Sequence, residues 1–293
     1  ALSSDNQRHN VKTAARALAP IALEHELVIT HGNGPQVGLL ALQSAAGSPE
    51  LAYPLDILDA ESEGMIGYMI EQELNNLLPT DRRCATLLTQ IEVNADDPAF
   101  RHPSKPIGPV YAEMEARKLA RDKNWDIARD GDQFRRVVAS PRPQKIFELS
   151  VIQLLVEQGV VVICAGGGGV PVVRRPDGSL VGVEAVIDKD FASALLSREL
   201  KADVFMMLTD VDCVYSEWAT PRARAIRCAA PEAIRTSEFA PGTMGPKVKA
   251  ACEFVEQTGA VAAIGQLNEA QAILRGEKGT LITQACADIE WWG

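Results

Sequence analysis

The sequence predicts an α/β protein built on a mainly parallel, open sheet covered by helices on both faces. Two observations carry this. Short, continuously apolar runs alternate with helical stretches along most of the 293 residues, and glycine-rich turns follow several of those runs. Strands buried on both faces read as unbroken apolar runs, and ligands of such sheets collect at the carboxyl ends of the strands.

The alternation begins with a helix around Asn10 to Leu23 and a strand over Glu26 to Thr30. The strand ends in the loop His31-Gly32-Asn33-Gly34-Pro35, and a helix carrying Val37, Leu40 and Ala41 follows. Met65 to Leu78 reads as a helix and Ala85 to Ile91 as a strand. From Asp96 to Lys145 the character changes: Pro98, Pro103, Pro106, Pro109, Pro141 and Pro143 lie among many charges, which predicts an excursion from the sheet that could form a lid. The pattern resumes with a helix near Ser150 to Gln158, the strand Val160 to Cys164 and the run Gly166-Gly167-Gly168-Gly169. A strand over Gly182 to Ile187 and a helix from Phe191 come next. The strand Val204 to Thr209, a helix opening at Pro246, the strand Ala260 to Gly265 and a closing helix and strand complete the chain.

Composition narrows the chemistry. Hydrophobic residues at 46% and charged ones at 23% describe an ordinary globular chain, long enough for one large domain or two lobes. No apolar stretch approaches the ~20 residues of a membrane span, and Ala1 to Gln7 lacks the apolar segment of a secretory signal, so the expectation is cytoplasmic with no membrane partner. A net charge of −10 argues against a nucleic-acid surface and confines any anion site to local clusters. Cys84, Cys164, Cys213, Cys228, Cys252 and Cys286 form no CxxC pair and have no histidine nearby. They read as reduced core thiols rather than as a disulfide framework or a zinc site, and no metal-ligand cluster is visible.

Two lysines stand where helix dipoles disfavour them. Gly242-Thr243-Met244-Gly245-Pro246-Lys247 is a glycine-rich turn that places Lys247 in a first helical turn, where free N–H groups already attract anions. Asp188-Lys189-Asp190 repeats the arrangement. Taken alone, Lys189 reads as a solvated residue beside a capping aspartate; two such lysines near glycine turns favour a bound phosphate. The loop at Gly32 misses the dinucleotide GxGxxG spacing, no P-loop is present, and the protein-kinase HRD and DFG motifs are absent. His31 lacks a positioned partner and reads as a packed histidine rather than a general base.

Several motifs carry a resemblance, in order along nearly the whole chain: Tyr53-Pro54-Leu55-Asp56, Glu63-Gly64-Met65-Ile66-Gly67-Tyr68-Met69, Lys105-Pro106-Ile107-Gly108-Pro109, Cys164 to Pro171, Val186 to Asp190, Leu208 to Asp212 and Gly242 to Lys247, together with His31 to Gly38. They resemble the carbamate kinases, a branch of the amino acid kinase family. The resemblance implies a three-layer αβα sandwich forming a single domain, 1–293. Its lobe 1–150 would bind carbamoyl phosphate and carry a protruding subdomain at about 96–145, and its lobe 151–293 would bind ADP or ATP. It implies reversible phosphoryl transfer between carbamoyl phosphate and MgADP in arginine catabolism, Mg²⁺ carried with the nucleotide, and a homodimer.

Roles carried over agree with the electrostatic reading. Phosphoryl transfer asks the protein mainly to position two anions and neutralise the moving group. Lys189 and Lys247 would flank that group with Asp190 holding both, and Lys105, from the resemblance only, would reach down from the lid. Gly32, Asn33 and Gly34 would offer backbone N–H groups to the substrate, with Gly167 and Gly168 in the same cleft. Thr209, Asp210, Tyr215, Met244 and Gly245 fall on the nucleotide side, although Asp210 and Tyr215 read equally well as turn and packing residues. Members of the family begin with a strand and a Gly-Gly-Asn loop, and Ala1 to Gln7 resembles the segment just after it, so that strand and loop are expected to be missing. Two further readings stay open: a homologue that binds nucleotide without turnover, and a related acyl-phosphate kinase.

Overall fold

The computed structural model describes residues 4–44, 52–235, 239 and 244–293. The turn Gly242-Thr243 lies outside them. In chain order, α1 (Ser4–Glu24), β1 (Val28–Ile29), α2 (Gly34–Ser44), α3 (Leu55–Asn75), β2 (Cys84–Thr86) and β3 (Gln90–Val93) lead to β4 (Lys105–Tyr111), α4 (Glu113–Lys123), β5 (Asp126–Asp130) and β6 (Gln133–Val138). Then come β7 (Pro143–Ile146), α5 (Leu149–Glu157), β8 (Val161–Ile163), β9 (Val170–Arg174), β10 (Leu180–Gly182) and α6 (Lys189–Glu199). The remainder is β11 (Val204–Thr209), β12 (Val214–Ser216), β13 (Arg224–Ala229), α7 (Pro231–Arg235), α8 (Met244–Thr258), β14 (Val261–Gln266), α9 (Ala270–Leu274), β15 (Thr280–Ile282) and β16 (Ile289–Trp291).

The strands form four sheets among the described residues. One is the all-parallel β1-β8-β2, and a second runs β10-β9-β3-β7 with β3 and β9 parallel. A third runs β11-β14-β15-β13-β12, with β16 paired to β13. The fourth, β4-β6-β5, is antiparallel and carries α4, so the proline-rich excursion does leave the main sheets; β7 rejoins them by pairing with β3. The strand Val161–Ile163 is fully buried, as its unbroken apolar run required, and helices cover the sheets through Leu18, Ile70 and Leu74 in one half and Val248, Ala251, Phe254 and Val255 in the other.

Three expectations need correction. Ala85 to Ile91 is two strands in two sheets: Thr89 Oγ1 bonds back to the Leu87 carbonyl and accepts from Ala165 N, which turns the chain out of the first ladder. Gly182 to Ile187 forms no continuous strand beyond Gly182. Ala185 N bonds to the Val183 carbonyl, and only a bridge between Ala185 and Ala139 remains, although Ala185, Val186 and Ile187 are buried. Cys228 and Cys286 are disulfide-bonded, because β16 folds back along β13 and brings Cys286 beside Cys228. Cys164, Cys213 and Cys252 are buried free thiols and Cys84 is half-buried.

The excursion is seated on α2 by two glycines. Gly38 on α2 and Gly108 on β4 meet backbone to backbone, and a Cβ on Gly38 would overlap Gly108. Gly108 also sits at φ +72°, in the left-handed region that glycine adopts freely.

Candidate active site

The anion-attracting features converge at the first turns of α6 and α8. Asp188 caps α6: its Oδ1 accepts from Asp190 N at 2.9 Å, and its Oδ2 accepts from Lys105 Nζ at 2.6 Å. Lys247 Nζ donates to Asp190 Oδ2 at 2.9 Å and to Oδ1 at 3.2 Å, and both side chains are buried. Helix α8 opens at Met244, two residues before the expected start, so Pro246 stands where the backbone N–H is unpaired anyway. A buried ion pair adds little net stability, since desolvation offsets the attraction. Its presence points instead to use.

The Lys189 side chain makes no hydrogen bond among the described residues. Burial lowers its pKa, Lys247 lowers it further, and Asp190 works in the opposite direction. Its Nζ lies 3.2 Å from where a Cβ on Gly32 would sit, so the first glycine loop passes close beside it and a side chain at residue 32 would crowd the ammonium. Three ammonium groups here face two carboxylates, Asp188 and Asp190, and the excess positive charge fits an anion. Burial pushes the Asp188 carboxyl up, but Lys105 and the Asp190 N–H outweigh it and keep the group below its ordinary range.

Beneath the glycine loops lies a buried polar face of α3. Asn33 Nδ2 donates to Asp59 Oδ1 at 3.1 Å and to Ser62 Oγ at 2.9 Å, so its buried side chain pins the loop to α3, while its carbonyl accepts from Gln36 N and Val37 N. Glu63 accepts from Gly166 N at 2.9 Å and from Thr89 N at 3.2 Å. Gly167 N donates to the His31 carbonyl at 2.7 Å, which joins the two loops. A Cβ on Gly167 would collide with the Asn33 amide, and one on Gly168 with the Ile187 carbonyl. Burial, opposed by those two N–H groups, raises the Glu63 carboxyl to about 7, and burial raises Asp59 strongly. Burial lowers His31 to about 4, which leaves a neutral ring packed against Gly166.

Of the residues the sequence singled out, the structure brings Lys189, Asp190, Lys247, Lys105, Gly32, Asn33, Gly167 and Gly168 together. Gly34 opens α2 with nothing above its Cα, and Gly245 likewise has open space in the first turn of α8, next to the partly buried Met244. Thr209 and Asp210 at the end of β11 and Tyr215 in β12 make their own hydrogen bonds: Thr209 Oγ1 to Asp210 Oδ1 at 3.0 Å, and Tyr215 Oη to Asp212 Oδ2 at 3.0 Å. Tyr215 also packs on Trp218. None of the three contacts the lysines through a hydrogen bond. Missed were Asp188 as a partner of Lys105, and Asp59, Ser62 and Glu63 as the floor of the loops. Glu63 had entered only within a family motif; polar residues at positions 59, 62 and 63 on one helical face were the available signal.

Among the described residues no group of three or more His, Cys, Asp or Glu side chains could hold a metal, and Asp188 and Asp190 are already engaged by lysines. No described helix is long and apolar enough to cross a membrane.

Comparison with known proteins supplies the context for this geometry. The sequence profile of the amino acid kinase family matches residues 1–265. A carbamate kinase of Rhizobium meliloti is 54% identical over 292 residues, covering 99% of this chain and 90% of that protein. One of Haemophilus influenzae is 53% identical, covering 99% and 94%. Among solved structures, the carbamate kinase of Giardia lamblia bound to AMP-PNP superposes with a TM-score of 0.87 at 39% identity, over 97% of this chain and 93% of that one.

Proposed function

The chain belongs to the amino acid kinase family and, within it, to the carbamate kinases, and from that premise we propose how its residues divide the work of a reversible phosphoryl transfer. Carbamoyl phosphate and MgADP give ATP and carbamate, which decomposes to ammonia and carbon dioxide. The bond from phosphorus to the carbamate oxygen breaks as a terminal oxygen of ADP bonds to the same phosphorus. The observation that carries the assignment is the Lys247–Asp190 pair joining the first turns of two helices, with Lys189 unpaired beside the Gly32 loop. Preorganised cations of this kind stabilise charge on the moving group without reorganising as it passes. Asp190 holds Lys247 through two hydrogen bonds and acts on Lys189 through its charge alone.

Lobe 1–150 would hold carbamoyl phosphate through the N–H groups of Gly32, Asn33 and Gly34 and the Gly167-Gly168 turn, under a subdomain at about 96–145 that brings Lys105. Lobe 151–293 would hold the nucleotide near Thr209, Asp210, Tyr215, Met244 and Gly245. Magnesium belongs to the substrate: with both site aspartates committed to lysines, phosphate oxygens and water would supply its ligands. A cytoplasmic role in arginine breakdown and a homodimer complete the reading. Exposed Ile57, Met65, Tyr68 and Leu88 around α3 supply apolar surface for pairing.

A coupled assay of ATP formation from carbamoyl phosphate and MgADP tests the proposal. Turnover that depends on both substrates is expected; nucleotide binding by calorimetry with turnover at background would overturn it. A panel of acyl phosphates separates carbamate from other carboxyl acceptors.

A further inference from the structure

Asp188 does two things with one carboxylate. Oδ1 accepts the Asp190 N–H and caps α6, while Oδ2 holds the ammonium of Lys105, which comes from the first residue of the excursion's sheet, 83 positions away in sequence. The Lys105 ammonium makes no other hydrogen bond among the described residues, and its side chain is 29% exposed against 17% for Asp188. An otherwise free lysine on a protruding sheet therefore has its head fixed at the turn that carries Lys189 and Asp190. An ammonium has three donors, and this contact occupies one, so two remain for phosphoryl oxygens.

We propose that Asp188 is a positioning residue that latches the lid lysine Lys105 to the first turn of α6, so that the lid presents its charge to the substrate already aimed. The proposal rests on the phosphoryl-transfer reading above and deepens it. Its specificity is for the acyl phosphate rather than for the nucleotide, because the latch hydrogen-bonds the lid to α6 and makes no hydrogen bond to α8 or to the end of β11. Capping alone is the competing account, and one substitution separates the two. Asn caps a helix about as well as Asp but carries no charge.

Asp188→Asn is expected to raise KM for carbamoyl phosphate by about fivefold or more, while KM for MgADP and thermal unfolding stay near those of the parent. Lys105→Met should give a similar rise, and the double variant no further rise, since each change removes the same contact. A KM for carbamoyl phosphate within about twofold of the parent in Asp188→Asn, or two effects that multiply in the double variant, would overturn the latch. Reductive methylation of Lys105 followed by mass spectrometry reads the contact without turnover. Labelling should quicken about threefold or more in Asp188→Asn as the ammonium is released, and an unchanged rate sinks the proposal. A parent protein that shows this labelling difference but no turnover keeps the latch and removes the functional reading instead.

Discussion

Lys247 Nζ bonds both carboxylate oxygens of Asp190, at 2.9 and 3.2 Å, and so ties the first turn of α8 to the first turn of α6 through a buried pair. The relationship explains why a cation tolerates a helix N-terminus. Asp190 supplies the local anion, and a transferred phosphoryl group would supply the rest.

Lys247→Ala should lower kcat by ~10² or more, in keeping with the loss of a preorganised charge at the transferring group. Steady-state kinetics check it, and a change below about threefold would remove Lys247 from the chemistry. Asp190→Ala should cost about 3–5 kcal/mol of stability, because it strands a buried ammonium, and urea denaturation measures that directly.

Glu63 makes stability depend on pH. Its folded pKa of about 7 lies above its ordinary value of 4.5, so between those values the folded state keeps a proton that the unfolded state has lost. Its contribution is fully present below 4.5 and is lost as pH rises through 7, with a slope of up to ~1.4 kcal/mol per pH unit. His31, lowered from 6.5 to about 4, acts oppositely: its contribution is present above 6.5 and is lost as pH falls through 4. The difference between parent and Glu63→Gln isolates the carboxyl. Urea titrations at pH 5, 6 and 7 should show the parent losing more stability than the variant over that window; parallel profiles would mean that Glu63 stays ionised.

Gly167→Ala should impair folding or substrate binding, since residue 167 has φ +71° and its missing Cβ faces the Asn33 amide. A cost of about 1–3 kcal/mol is expected from the backbone alone. Calorimetric stability and KM for carbamoyl phosphate should both worsen.

Reduction of Cys228–Cys286, which closes a loop over 58 residues of sequence, should destabilise the protein by about 2–4 kcal/mol. Thermal melts with and without reductant, with Cys286→Ser as a control insensitive to reductant, measure it.

Much of this architecture was legible in the chain because burial writes itself as composition. Val161–Ile163 is apolar on both faces and is a central strand. The same rule misled at Val183 to Ile187, where Ala185, Val186 and Ile187 are buried but pair through a single bridge to Ala139: apolarity reports exclusion from water, while a ladder depends on which neighbour's N–H is free. Lys247 and Lys189 stood out because each conflicts with its local helix. Asp188 conflicts with nothing as a cap, and its bond to a lysine 83 positions away has no local trace. Asp59, Ser62 and Glu63 resemble a solvated helical face until the glycine loops are seen to cover them. The disulfide depended on the fold-back of β16, a tertiary event that cysteine spacing alone does not encode.

The meeting of Gly38 with Gly108 sets a rule for redesign. Because no side chain stands between α2 and the excursion, their separation has no adjustable spacer: enlarging either residue would lever the whole three-stranded unit away, and Lys105 with it, from the turn that carries Asp188. The outer strands and α4 lie beyond that joint. A protein engineer could exchange α4 and β5, the parts of the unit farthest along the chain from the joint, as a cartridge, provided the two glycines were kept as its socket.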